Sequence, residues 1–383
     1  MNSSDIMYFD NASTTKVDDE VIDSMLPFFK DYYGNASSSH KYGSNIKKEI
    51  EISKQKVADL INSKTKEIIF TSGATESINM VLKGITKTNS KRNQIITVST
   101  EHSAVLDTCL FLENQGIDIV YLPVKSSGII DLEELNKIIG LQTLMICIML
   151  VNNETGVIQP IKEITDLAHK HGALMFTDAT QAIGKIKVDV LSLDVDFMAF
   201  SAHKFHGPKG IGALFLKEQL IKNFNSLIHG GGHQDGLRSG TLNVTGIIGL
   251  AKACEIAKVQ VETSKQIEEL RNELENELLK IDGTYINGDI EKRICNISNI
   301  CFPSIDSDVL INRLDTICVS NGSACTSALI EPSYVLKAMG LSNEDAFSSL
   351  RFSLSKYTTK KEVTFLIEKL KQIITYLTSL KHV

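Results

Sequence analysis

Seven short apolar runs between Glu67 and Leu216, separated from one another by helical patterns, leave this chain few folds to choose from. They are Glu67–Phe70, Gln94–Val98, Ile117–Leu122, Thr143–Val151, Leu174–Thr177, Asp196–Phe200 and Ile211–Leu216. Strands alternating with helices at this spacing build a mainly parallel sheet covered by helices on both faces. Upstream, Val21, Met25 and Phe28 mark one helix, and a second runs from about Asn45 to Ile61 beyond a Gly/Asn/Ser-rich loop. After Asn243 the texture changes. A helical pattern from about Gly246 to Leu279 leads to strand-like runs at Ile294–Phe302, Thr316–Val319 and Ser349–Leu354, and to a terminal helix, Thr359–Leu380. The expected architecture is α/β: a large domain over residues 16–255, and a smaller α+β domain formed by residues 1–15 and 256–383.

Composition removes several function classes. With 43% hydrophobic and 22% charged residues over 383 positions, the chain is globular rather than disordered. A net charge of −6 argues against nucleic acid or an anionic membrane as the main partner. The longest apolar run, Leu144–Val151, is too short to cross a bilayer. No basic stretch followed by an apolar core opens the sequence, and seven cysteines show no CxxC spacing. Free thiols in a reducing cytoplasm are therefore expected, with no metal site.

In such sheets ligands bind beyond the carboxyl ends of the strands, so the polar clusters after each apolar run are the candidate site. Thr71-Ser-Gly-Ala-Thr-Glu-Ser77 reads either as a phosphate cradle at a helix N-terminus or as a capping box. Thr100-Glu-His-Ser103 offers an imidazole for an aromatic ligand, or a loop histidine with ordinary polar partners. Val151-Asn-Asn-Glu-Thr-Gly156 offers two amides to an oxygen-rich ligand, or an Asx turn. In Phe176-Thr-Asp-Ala-Thr-Gln181 the carboxylate either faces a cation such as a pyridinium or caps a helix. Ser201-Ala-His-Lys204 sets a lysine at a buried strand end, where desolvation makes an amine nucleophilic. One ligand fits all five: a ring nitrogen needing a carboxylate, a phosphate arm and an aldehyde needing a lysine. That ligand is pyridoxal 5′-phosphate.

The segments YFDNASTT, GNASSSH, FTSGATES, TEHSAVLDTC, VNNETGVIQP, TDATQAIGKIKVDV, SAHKFHGPKGIGAL, RSGTLNV, NGSACTSALIEPSYVL and SSLRFSLS resemble the NifS/IscS group of cysteine desulfurases. These are fold-type I pyridoxal phosphate enzymes of the class V aminotransferase-like kind, and the likeness runs from Phe9 to about Tyr357. It implies Lys204 as the Schiff-base lysine, His102 stacked on the ring, Asp178 on its nitrogen and Gln181 on its phenolic oxygen. Ala74, Thr75, Ser201 and His203 would hold the phosphate, and Thr241 would reach the phosphate of the neighbouring subunit in a homodimer with shared sites. Asn153 and Arg351 would bind the carboxylate of L-cysteine. Cys325, in the small-residue stretch Asn321–Ala328, would take the sulfur as a persulfide, leave alanine, and pass the sulfur to an acceptor such as an iron–sulfur scaffold. His102 would serve as an acid or base. The other six cysteines, in apolar surroundings, are expected to be inert packing.

The sequence departs from the family pattern in three places. Asp235 stands in Gly230-Gly-Gly-His-Gln-Asp-Gly236 where a basic residue is expected, reversing a charge near the presumed subunit interface. GNASSSH lacks the usual proline. The chain stops at Val383, soon after the last helical pattern, which argues against docking of a scaffold through a C-terminal tail. Selenocysteine lyase, another class V reaction and a non-catalytic sulfur carrier are the rival readings. Cys325 argues against a transaminase, which needs no thiol, and Lys204 together with Cys325 argues against a bare scaffold.

Overall fold

A computed structural model describes residues 6–86, 91–261, 264–322 and 331–380. After a short strand β1 (Met7–Tyr8), helices α1 (Asp19–Lys30) and α2 (Lys41–Ile61) precede the apolar runs. Those runs become β2 (Ile68–Thr71), β3 (Gln94–Val98), β4 (Asp118–Leu122), β5 (Thr143–Cys147), β6 (Leu174–Asp178), β7 (Phe197–Ser201) and β8 (Gly212–Leu216). They form one sheet in the order β2-β8-β7-β6-β5-β3-β4. Every neighbouring pair is parallel except those made by β8, which runs antiparallel to both β2 and β7.

Alternation along each strand divides the core in two. Ile68, Phe70, Ile96, Val98, Ile146, Met198 and Phe200 join one apolar cluster, to which α1, α2 and the helix Val244–Gln260 contribute Val21, Ile50, Val57 and Leu250. Ile69, Ile95, Met145, Phe197 and Ala199 point the other way, onto α3 (Ala74–Ile85) and α4 (Ser103–Glu113). Because both faces are covered, the strands read as continuous apolar runs rather than as alternating ones.

A third cluster lies apart from the sheet. It gathers Phe9, Leu274, Ile300, Phe302, Leu310, Phe352 and Leu366 around the antiparallel strands β9 (Tyr285–Ile286), β10 (Ile297–Cys301) and β12 (Ser349–Ser353). Strand β11 (Ile317–Cys318) pairs in parallel with β1, so the N-terminal segment completes this unit. The expected continuous helix from Gly246 to Leu279 is instead two helices, Val244–Gln260 and Ser264–Leu278. The first buries Ile247, Leu250 and Cys254 in the first cluster, and the second buries Ile267 and Leu274 in the third. β-Branched Val259 and Val261 weaken the helical preference just where the chain changes cores.

One glycine sets how closely the strand ends approach. Gly212 opens β8 opposite both Thr71 and Ser201. A Cβ there would lie 2.5 Å from the carbonyl oxygen of Phe200 and 2.7 Å from the Cα of Gly73. No larger residue fits, and the ends of β2 and β7 therefore meet.

Candidate active site

The carboxyl ends of β2, β6 and β7 and the segment after β5 surround a cavity of about 300 Å³. Ala74, Thr75, His102, Asn153, Asp178, Gln181, Ser201, His203, Lys204 and Arg351, ten of the twelve residues expected from the sequence, all line it. Thr241 does not. It is exposed, in a separate depression with Phe28, Phe29, Tyr32 and Tyr33. Cys325 lies outside the described residues.

Lys204 ends a short 3-10 turn, Ala202–Lys204, that leaves β7. Its Nζ donates to the carbonyl oxygens of Ala12 at 2.6 Å and Ser13 at 2.8 Å. Burial and the nearby Arg351 guanidinium lower its basicity to about 8, against the partial opposition of Asp178 and Asp10. A neutral amine is thus within reach at ordinary pH.

At the start of α3 the backbone N–H of Ala74 donates to Ser201 Oγ at 2.7 Å, across the junction that Gly212 keeps narrow. The N-cap of α3 is Gly73, which has no side chain to cap the helix, so its first turn offers donors to an anion. The capping alternative also holds in part, since Glu76 accepts the N–H of Ser72 at 2.8 Å and pairs with Arg238 at 2.7 Å. His203 Nδ1 lies 3.1 Å from Thr14 Oγ1, and burial with the nearby Lys204 and Lys209 cations pushes its pKa down to about 4. It is neutral at pH 7, on the cavity wall.

His102 is the N-cap of α4, where its Nδ1 accepts the N–H of Ala104 at 3.0 Å. That contact places the ring proton on Nε2 and fixes the ring at the cavity wall. Burial, with Lys204 adding, keeps the imidazole below its ordinary pKa. Asp178 is the last residue of β6; its Oδ1 accepts the N–H of Thr180 at 2.8 Å, so it serves both as a turn cap and as a cavity carboxylate. Gln181 donates from Nε2 to Ala12 O at 2.8 Å and accepts at Oε1 from Lys185 Nζ at 2.6 Å.

The two amides of VNNETG divide the roles foreseen for them. Asn152 makes the Asx turn, its Oδ1 accepting from the N–H groups of Glu154 and Thr155 at 2.9 and 3.0 Å. Asn153 faces the cavity, and its Oδ1 is buried without a partner. Arg351, on β12, donates to Asn153 O at 3.0 Å, Asp10 Oδ1 at 2.7 Å and Ser13 Oγ at 2.8 Å, while its Nε is buried and unpartnered. The unpartnered Arg351 Nε and the uncapped start of α3 are donors that a substrate carboxylate and a phosphorylated ring would satisfy, while Asn153 Oδ1 is left to accept from a ligand N–H. The residues present fit pyridoxal phosphate.

Sequence reading did not single out Asp10, Ala12, Ser13 or Lys185. Asp10 was foreseeable, because a buried arginine needs a counter-charge and Asp10 lies in YFDNASTT. Glu154 is fully buried; Ser333 Oγ donates to its Oε2 at 2.5 Å, and a Cβ on Gly322 would lie 2.5 Å from that same oxygen. Burial raises its pKa to about 7. The six described cysteines are unpaired, and burial pushes every one of their thiols up. Among the described residues no group of His, Cys, Asp and Glu could hold a metal ion. Asp235 is exposed, in a turn that Gln234 docks to β2 by accepting from Phe70 N at 2.7 Å and donating to Phe70 O at 2.9 Å.

Comparison with known proteins bears on this geometry. Residues 7–366 match the family described as Aminotransferase class-V. The chain is 43% identical over 366 residues to a protein named cysteine desulfurase IscS from Ehrlichia chaffeensis, covering 94% of this chain and 89% of that one. It is 44% identical over 379 residues to a mitochondrial cysteine desulfurase of Arthroderma benhamiae, covering 98% and 75%. A solved structure titled as a NifS-like protein superposes with a TM-score of 0.91 at 40% identity, covering 97% of this chain and all of that one.

Proposed function

The chain belongs to the class-V aminotransferase family and is a cysteine desulfurase, and we propose that Lys204, His102 and Cys325 carry its reaction around a pyridoxal 5′-phosphate held in the cavity. What supports this most is the convergence on one cavity of an amine of reduced basicity, a strand-end carboxylate and buried polar atoms without partners. Bound there, pyridoxal phosphate supplies an electron sink for the pair of a substrate Cα–H bond. Ala74, Thr75, Ser201 and His203 would hold its phosphate, Asp178 would face the ring nitrogen, His102 would lie against the ring, and Gln181 would donate to the phenolic oxygen.

The chain's own groups do the rest. Arg351 and Asn153 bind the carboxylate of L-cysteine, which sets the Cα–H bond beside Lys204. The free amine of Lys204 takes the α-proton, and His102, neutral with its proton on Nε2, donates or accepts at the sulfur side. Cys325 attacks the substrate sulfur as a thiolate. The C–S bond breaks, its carbon is protonated to give alanine, and the sulfur stays on Cys325 as a persulfide for an acceptor such as an iron–sulfur scaffold.

The division into residues 16–255 and a smaller unit of residues 1–15 and 256–383 is supported by the separate apolar clusters. A homodimer in which Thr241 reaches the neighbouring copy's phosphate is supported by its exposed position beside Phe29 and Tyr33, which are 63% and 75% exposed. Cytoplasmic location is supported by the unpaired cysteines, and no described helix is long and apolar enough to cross a membrane.

The test compares cysteine turnover by wild type, Lys204→Ala and Cys325→Ala. Cys325→Ala is expected to bind cysteine and pyridoxal phosphate but to release no alanine. Lys204→Ala is expected to lose the borohydride-reducible link to the cofactor. Wild-type alanine release by Cys325→Ala would overturn the sulfur relay.

A further inference from the structure

We infer that Lys185 is a positioning residue for the site, fixing the side-chain amide of Gln181 with its oxygen turned from the cavity and its nitrogen turned in. Lys185 is only 8% exposed and approaches Gln181 from behind; it lines a second, smaller cavity with Cys295 and His206, not the one that Gln181 lines.

An amide has two distinguishable ends, and each meets a partner that accepts one of them alone. Lys185 Nζ donates to Oε1 at 2.6 Å, and the Ala12 carbonyl, which can only accept, takes an N–H from Nε2 at 2.8 Å. Rotating the amide by half a turn would face oxygen to oxygen at Ala12 and would remove the acceptor from Lys185. The second N–H of Nε2 then remains for a ligand oxygen in the cavity. Burial and the neighbouring Lys204 and Arg351 cations lower the basicity of Lys185 to about 7, with Cys295 opposing them. The ammonium can only donate and so takes Oε1 alone, whereas above that value the amine could also accept and the Ala12 carbonyl carries the discrimination. The ammonium further polarises the amide and makes Nε2 a stronger donor to an oxyanion.

The inference rests on the reading that Gln181 donates to the phenolic oxygen of pyridoxal phosphate. The experiment therefore runs on holoenzyme with Gln181→Ala, Lys185→Met, Lys185→Arg and the Gln181→Ala/Lys185→Met double variant. The readouts are the visible absorption band of the bound cofactor, the pH midpoint of that band, and the dissociation constant for pyridoxal phosphate. Methionine matches the length of the lysine stem and needs no buried partner, so the thermal midpoint is expected to hold or rise. Lys185→Met is expected to reproduce most of the band and midpoint shift of Gln181→Ala and to weaken cofactor binding about tenfold. Lys185→Arg is expected to restore the wild-type band, and the double variant to shift no further than Gln181→Ala. If Lys185→Met does not fold, Lys185→Gln, too short to reach Oε1, takes its place with the same expectation. A wild-type band and midpoint in the lysine variants beside a shift in Gln181→Ala overturns the role of Lys185. Wild-type behaviour of Gln181→Ala itself overturns instead the reading of Gln181.

Discussion

The Nζ of Lys204 and the carbonyl oxygen of Ala12, 192 residues apart in the chain, lie 2.6 Å from one another. The resting lysine is thus tethered to main chain of the N-terminal segment, beside the point where Gln181 docks on the same oxygen. A carbonyl supplies a hydrogen-bond acceptor without an opposite charge. Desolvation and Arg351 therefore prevail over the opposing Asp178 and Asp10, and the amine titrates low.

Modification of Lys204 in the cofactor-free protein is expected to follow a pH midpoint near 8, against 10.5 for an ordinary lysine. Arg351→Met removes a repelling cation and should move that midpoint upward. The check is the pH dependence of labelling of the Lys204 peptide, read by mass spectrometry. A midpoint near 10.5 in wild type would refute the account.

Part of this arrangement was legible in the residues and part was not. Strand-end clusters announced Lys204, Asp178, Ser201 and His102, because apolar runs and side-chain type both leave a trace in sequence. Ala12 and Ser13 act through carbonyl oxygens, which every residue has, so nothing in their identity signals the role. Nothing local marks Lys185, because its burial depends on packing by a distant segment. The long helix was misjudged between Gln260 and Ser264 for a related reason. Local periodicity continues there, while the two helices answer to different cores.

Arg351 holds Asp10 at 2.7 Å with its own side chain only 5% exposed. Asp10→Ala is expected to cost about 3 kcal/mol of stability, because it leaves a buried guanidinium without its counter-charge. Arg351→Lys should raise KM for cysteine about tenfold or more, since one ammonium cannot replace a two-pronged contact. Denaturant unfolding and steady-state kinetics measure the two effects. Unchanged KM in Arg351→Lys would remove Arg351 from substrate binding.

The six described thiols are all held above their ordinary pKa by burial, Cys109 up to about 12. Brief alkylation of the native protein at pH 7 is therefore expected to label Cys325 before any of them, with Cys325→Ala losing the fast phase. Peptide mapping of the labelled protein gives the answer. Fast labelling of Cys109, Cys147 or Cys254 would contradict their buried, protonated state.

Glu154 gives a pH signature in stability. Its carboxyl titrates at about 7 when folded and near 4.5 when unfolded, so between these values the folded state binds more protons. Stability from this group is whole below pH 4.5 and is lost as pH rises through 7. The shift amounts to roughly 3 kcal/mol at about 1.4 kcal/mol per pH unit. Glu154→Gln keeps an oxygen for Ser333 and cannot ionise, so its stability relative to wild type should rise across pH 4.5–7. A wild-type minus variant difference that stays flat over that range would show that Glu154 ionises normally.

Gly212 supports the Ala74–Ser201 end of the cavity, the end proposed to hold the cofactor phosphate. It sits opposite Thr71 and Ser201, and a Cβ at that position meets the Phe200 carbonyl at 2.5 Å and the Gly73 backbone at 2.7 Å. Neither obstacle is a flexible side chain. Gly212→Ala must therefore spread β2 from β7, lengthening the 2.7 Å contact between Ala74 N and Ser201 Oγ and displacing the first turn of α3. Overpacking of this kind costs about 1–3 kcal/mol. The cofactor phosphate should feel the displacement more than the amine does. Gly212→Ala is thus expected to weaken binding of pyridoxal phosphate about tenfold, while the pH midpoint of Lys204 labelling stays near 8. Equal affinity for pyridoxal phosphate and for phosphate-free pyridoxal, relative to wild type, would show that the cradle does not depend on this close approach.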